Sequence, residues 1–226
     1  MPARSLRSWL IALTTPFVVA TGVLAAASSA DADSLTTTIP LGDFVVGAAI
    51  SPDGSQLYVT RSPNLVDVVS TVTNTKTSTI TVGDNPRDVE FSQDGMRGYV
   101  PNYGDNTLSV IDTGTGSVTG TIPLGSGNPT DVAVSPDRTF AYVTMVTSGT
   151  VKVVDLHSGT VSRSINVGSG PNSVALTSDG SRAFVANAES DSVSMIETAT
   201  GTVAATTSVG DEPFSVAISP DGQRVY

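Results

Sequence analysis

Past residue 32 the apolar positions fall into short runs separated by clusters of Gly, Pro, Asn, Asp, Ser and Thr, and none shows the 3.6-residue period of a long helix. The stretch from Gly83 to Ile122 shows the pattern most fully. Apolar or alternating runs at Asp88–Ser92, Gly98–Val100, Leu108–Asp112 and Val118–Ile122 are joined by a Ser-Gln-Asp-Gly turn, a polar loop at Asn102–Asn106 and a Gly/Thr turn at Thr113–Gly116. Four short antiparallel strands in a meander fit these connection lengths.

The same text recurs. The Asp of the Ser-x-Asp-Gly turn falls at Asp53, Asp94, Asp137, Asp179 and Asp221, in steps of 41, 43, 42 and 42 residues. The Gly that opens each unit falls at Gly42, Gly83, Gly125, Gly168 and Gly210, in steps of 41, 42, 43 and 42. Two markers keeping one period of four strands predict an all-β fold, a β-propeller of four-stranded antiparallel blades with repeats of about 42 residues.

Each unit is predicted to open with its innermost strand, at Ala48–Ser51, Asp88–Ser92, Asp131–Ser135, Ser173–Thr177 and Ser215–Ser219. Val132 and Val134 alternate with Ala133, so apolar residues face the neighbouring blade on both sides. The turn that follows has its chemistry set by Pro, Asp and a Gly with positive φ. Arg138 replaces that Gly in the third unit, which predicts a strained turn or one of another type. Second strands are expected at Leu57–Thr60, Gly98–Val100, Phe140–Thr144 and Ala183–Ala186, and third strands at Val66–Ser70, Leu108–Asp112, Thr150–Asp155 and Ser192–Glu197.

The N-terminus departs from this pattern. Arg4 and Arg7 precede the uncharged apolar run Trp9–Ala27, and Ala30-Asp31-Ala32 offers small residues at cleavage positions. Residues 1–32 therefore read as a secretory signal peptide and residues 33–226 as the propeller repeats, with no stable membrane span left after cleavage. Leu35–Pro40 is β-prone and aligns with the last strand of later units, so it is expected to be an outer strand completing a final blade. At the other end, Tyr226 falls within the second strand of the fifth unit. Four full blades plus a partial fifth imply a piece of a larger ring, of about seven blades and roughly 290 residues of repeat.

Composition narrows the classes of partner. The chain holds 11 basic and 21 acidic residues and no cysteine. Nucleic acid is an unsuitable partner, since binding it needs clustered Lys and Arg. Disulfides and thiolate zinc sites are excluded.

Tyr99-Val100-Pro101-Asn102, Ser109–Thr113, Phe184-Val185-Ala186-Asn187, Val193–Thr198 and the run Gly210–Gly222 together resemble the YVTN-type β-propeller repeat. The resemblance covers essentially all of the chain after residue 32. It implies a bacterial or archaeal secreted or surface-layer-like protein, and related propellers include lactonase-like enzymes. The first unit departs most: Val45 stands where Pro86, Pro129, Pro171 and Pro213 stand, and Arg61 where Asn102 and Asn187 stand.

Candidate chemistry is sparse. His157 is the only His and sits in a turn, so a nucleophilic triad has one candidate base and no supporting motif. No catalytic residue, cofactor or metal is predicted. Asp84, Asp88 and Glu90 are too scattered by strand alternation to make a metal site. The loops before each inner strand and those after each second strand should share one rim, where Arg87, Tyr103, Asp105, Asn187 and Phe214 form the candidate binding surface. The expected function is a secreted or cell-envelope binding scaffold without catalysis, for a protein, glycan or small-molecule ligand. The alternatives are a lactonase-like propeller hydrolase and a structural surface-layer component.

Overall fold

The predicted runs form strands, and the turns that join them keep the sheets narrow. In the computed structural model the described residues are 22–25, 38–42 and 44–226. A two-stranded sheet pairs β1 (Gly22–Ala25) with β2 (Thr38–Gly42). The first blade is β3 (Val45–Ile50), β4 (Gln56–Arg61), β5 (Leu65–Ser70) and β6 (Thr75–Thr81). The second is β7 (Glu90–Phe91), β8 (Arg97–Asn102), β9 (Thr107–Asp112) and β10 (Ser117–Pro123). The third is β11 (Pro129–Val134), β12 (Phe140–Met145), β13 (Thr150–Asp155) and β14 (Thr160–Asn166). The fourth is β15 (Pro171–Leu176), β16 (Arg182–Asn187), β17 (Ser192–Glu197) and β18 (Thr202–Ser208). Every blade is an antiparallel meander in chain order. The fifth unit contributes a short hairpin, with one bridge between Ile218 and Val225, in place of the two strands expected there.

Alternate residues of each strand serve different neighbours. Tyr58, Val66, Val68 and Ile80 of the first blade pack on Val89, Phe91, Val100 and Ile111 of the second. Its Tyr58 and Phe91 rings meet edge to face at 4.8 Å. Tyr99, Leu108 and Val110 meet Val132, Val143 and Val154 of the third blade. Ala133, Tyr142, Val151 and Val153 meet Val174, Val185 and Ile196 of the fourth. The side-by-side blades are thus glued by their faces, through a shared core of aliphatic and aromatic residues. The first strands of the third and fourth blades, β11 and β15, lie much closer together than their fourth strands, so these two blades splay outward from an inner edge.

The strand expected at Leu35–Pro40 differs in its bounds and in its paired strand. The strand is Thr38–Gly42, residues 35–37 fall outside the described ones, and its partner is β1 instead of a strand of a later blade. Its placement has a clear cause. Ile39 and Leu41 are buried against Leu57, Val59 and Val69, the outward face of the first blade. The text Ile39-Pro40-Leu41-Gly42 repeats at Ile122-Pro123-Leu124-Gly125, so β2 occupies the place of a preceding blade's fourth strand. Apart from residues 22–25, the predicted signal segment lies outside the described residues. Among the described residues no helix is long and apolar enough to cross a membrane.

The Arg138 turn takes the strained alternative of the two expected. Arg138 N donates to Ser135 O at 2.8 Å, as Gly54 N does to Ser51 O and Gly95 N to Ser92 O. The turn type is unchanged, and Arg138 simply adopts φ 64° where its glycine counterparts have 70–75°. In every copy a hydroxyl and the turn carboxylate organise the loop. Ser51 Oγ donates to Asp53 Oδ1 at 2.6 Å, Ser55 N donates to the same oxygen at 3.0 Å, and Gln56 N donates to Ser51 Oγ at 3.0 Å.

Candidate functional site

Since strand direction alternates, the loops before the first strands and those between second and third strands gather at one end of the blades. The Asp-Gly turns and the turns between third and fourth strands gather at the other. His157 belongs to the second group. It is exposed, its backbone N–H donates to Asp155 Oδ1 at 2.9 Å, and it lies a full strand away from the rim.

In three of the four blades a polar latch at the end of the second strand shapes the rim. Asn102 is fully buried, and its Nδ2 donates to Thr107 Oγ1 and Ser109 Oγ, each at 2.9 Å. Asn187 repeats this in the fourth blade, donating to Ser192 Oγ at 3.2 Å and Ser194 Oγ at 2.9 Å. The first blade keeps the geometry but changes the chemistry: Arg61 Nε donates to the buried Asp67 Oδ2 at 3.0 Å, with Thr79 Oγ1 donating to Oδ1 at 2.7 Å. The third blade puts the buried, apolar Met145 there. Gly83 closes over the Asn102 amide, where a Cβ would lie 2.6 Å from Cγ.

These facts redistribute the predicted rim residues. Asn187 is not available at the rim, because it is fully buried and its amide is bonded inside its own blade. Asp105 is exposed but Oδ2 accepts Asp84 N at 2.6 Å, so it fixes the loop before β7. Phe214 is 73% exposed, and its carbonyl accepts Asn172 Nδ2 at 2.8 Å. Arg87 and Tyr103 are brought together: the guanidinium carbon sits 4.4 Å from the centre of the Tyr103 ring. Both are half-buried, and Arg87 Nε is enclosed with no protein acceptor. A cation stacked on an aromatic face keeps its outer N–H groups available to an anion while the ring fixes its plane. Asn128 joins this rim to the next blade, with Nδ2 donating to Tyr103 O at 3.0 Å and its N–H donating to Asn106 Oδ1 at 2.8 Å.

Below the rim, two acids meet across the second and third blades. Asp131 Oδ2 accepts Val174 N of β15 at 2.8 Å, and Oδ1 accepts Val132 N at 2.8 Å. Asp88, just before β7, lies near enough to Asp131 to feel its charge. Desolvation first, then the Asp131 carboxylate and Glu90, hold Asp88 well above the usual carboxylate range. The sequence reading missed this pair. The one signal was their shared place, two residues after Pro86 and Pro129 and just before a Val. Among the described residues no group of three or more His, Asp or Glu is placed to hold a metal ion. At the opposite end, a cleft of about 250 Å³ opens between the first two blades, lined by Asp53, Gln56, Phe91 and Asp94 among others.

Comparison with known proteins agrees with this geometry. Kuenenia stuttgartiensis hydrazine synthase superposes with a TM-score of 0.61 at 19% identity, over 85% of this chain and 82% of that one. A functionally unknown protein from Desulfotomaculum acetoxidans superposes with a TM-score of 0.77 at 21% identity, over 85% of this chain and 65% of that one. At such identities both show the fold alone. No curated protein matches the sequence. The profile described as "Lactonase, 7-bladed beta-propeller" matches residues 66–218, about two thirds of the chain, from the third strand of the first blade to the hairpin of the fifth unit. On that match, the chain belongs to the lactonase seven-bladed β-propeller family.

Proposed function

We propose that this protein is a binding scaffold whose ligand sits on the rim at Arg87 and Tyr103, without being chemically changed. The observation that carries this reading is how the rim's polar side chains are used. Asp105 holds the Asp84 loop, Asn102 and Asn187 are latches inside their blades, and Asn128 ties two loops together. Arg87, half-buried and stacked on Tyr103, is the cation this rim offers, which suits an anionic group such as a sugar acid or an acidic side chain. The chain's single histidine lies at the far end of the blades. The repeats are of the YVTN type, and the protein is exported to the cell surface or the medium. The Arg4/Arg7 pair, the apolar run Trp9–Ala27 and the Ala30-Asp31-Ala32 site support export.

A second reading, hydrolysis of a lactone, is favoured by the family match itself. It requires an acid and a base converging near Arg87. Titrating isotope-labelled protein with gluconate, glucuronate and a short poly-glutamate peptide tests the first reading. Shifts centred on Arg87 and Tyr103 that vanish in Arg87→Ala are the expected result. Shifts confined to the Asp-Gly turn end of the blades would overturn it.

A further inference from the structure

We propose that the cleft between the first two blades, at the end where the Asp-Gly turns gather, binds a guanidinium group. The cleft, of about 250 Å³, is lined by one turn carboxylate from each blade, Asp53 and Asp94, and by the buried, apolar Phe91. The neighbouring interface shows which ligand fits. Gly95 and Asp53, which both line the cleft, hold the same places in their turns as Arg138 and Asp94. Between the second and third blades the Arg138 guanidinium reaches back to Asp94. Between the first and second blades Gly95 has no side chain to do this, and the corresponding space is the cleft.

Asp53 is held ready for such a partner. Its Oδ1 accepts Ser51 Oγ at 2.6 Å and Ser55 N at 3.0 Å, and its Oδ2 accepts Ser55 Oγ at 2.8 Å. These bonds fix the carboxylate and leave one acceptor position on Oδ2, the atom that in Asp94 takes the guanidinium. Among the described residues Asp53 makes no ion pair, whereas the charge of Asp94 is already met by Arg138. The charges at the three interfaces differ in the same sense. Tyr58, Tyr99 and Tyr142 share one register position on the second strands, and burial raises the hydroxyl of each. After burial, Tyr99 feels Arg97 and Arg138 alongside Asp94, and Tyr142 feels Arg163 alongside Asp137. Tyr58, which faces the second blade, feels the acidic Asp112 instead. Arg163 donates to Thr200 O of the fourth blade, and Ser78 of the first blade stands at the register position of Arg163. The cleft thus lies at the interface where the chain supplies neither of these two arginines.

The test is an NMR titration of the isotope-labelled full chain with methylguanidinium, with a blocked tripeptide carrying a central arginine, and with the same tripeptide carrying lysine. The expected result is saturable shifts at the amides of Ser55, Gln56, Gly95 and Gly114, with the lysine peptide bound several-fold more weakly, because an ammonium lacks the planar fork. Tighter binding of the arginine peptide assigns the group to a polypeptide, and tighter binding of methylguanidinium assigns it to a free small molecule; both support the site. Asp53→Asn should abolish the shifts. Gly95→Arg should abolish them too, since its guanidinium would reach Asp53 as that of Arg138 reaches Asp94. The backbone allows this, with φ 71° at Gly95 against 64° at Arg138. A Cβ on Gly95 would lie 3.3 Å from Pro52 Cδ, a contact that a small shift relieves. No saturable shift at the cleft, equal binding of the lysine peptide, or shifts that survive Gly95→Arg would each overturn the proposal.

Discussion

Arg138, in the turn of the third blade, donates through its guanidinium to Asp94 in the same turn of the second. The residue therefore combines an unfavourable backbone state with an ion pair between blades. A left-handed conformation costs a residue with a Cβ about 1 kcal/mol more than glycine. An exposed pair of this kind returns about 0–1 kcal/mol. Arg138→Ala loses the pair and keeps the backbone cost, whereas Arg138→Gly loses both. Urea unfolding should find the glycine variant about 1 kcal/mol more stable than the alanine variant. Equal stabilities would show that the turn does not need its positive φ.

Gly83 and Asn102 should behave as one unit. A Cβ on Gly83 would press on the Asn102 amide and on Asp105 Oδ2, at 2.6 and 2.7 Å. Asn102→Ala removes two buried hydrogen bonds and should cost about 2 kcal/mol. Gly83→Ala should cost at least as much. The double variant should be less destabilised than the sum of the two, by about 1 kcal/mol, since removing the amide makes room for the methyl. A double-mutant cycle read by denaturant midpoints checks this, and strict additivity would contradict the contact.

The first blade offers a swap experiment. Asp67 is fully buried and receives Arg61, Thr79 and, at 3.4 Å, Lys76. Asp67→Ala leaves Arg61 without its carboxylate and should cost about 3 kcal/mol. Arg61→Asn with Asp67→Ser reproduces the pairing of Asn102 with Ser109 at the same register and should recover more than half of that loss. Failure to recover would mean that the two latches are not equivalent.

Acid should weaken the turns between the first and second strands of each blade. The turn carboxylates accept hydrogen bonds from neighbouring hydroxyls and N–H groups, which holds them below the usual range. Asp179 is lowered to about 2, chiefly by Thr177, and Asp53, Asp94 and Asp137 shift the same way. A lowered native value means stability present above the unfolded value near 4 and lost as pH falls from there toward 2. Melting temperature should decline over that window, and less steeply in Asp179→Asn. An unchanged slope in the variant would remove this turn from the acid response.

The strands and turns were readable because their markers repeat. Ser51, Asp53 and Gly54 carry their conformation in their own side chains and backbone, so a single copy defines all five. The rim was less readable. Asn102 and Asn187 sit in polar text, and only the strand register shows that they face Ser109 and Ser194 and not solvent. Arg61 departs from the Asn of its sister units, and only the same register shows that its partner Asp67 takes the place of Ser109. Contacts between blades were the least accessible. Asp88 and Asp131 are 43 residues apart, and their meeting depends on the angle at which one blade packs on the next.

The scaffold reading is tested most directly by the hydrolysis of glucono-δ-lactone, followed by proton release with and without the full chain. The scaffold reading predicts a rate equal to that of buffer alone, in wild type and in Arg87→Ala alike. A saturable acceleration that Arg87→Ala or Tyr103→Ala abolishes would contradict it and establish the rim as a lactone-hydrolysing site.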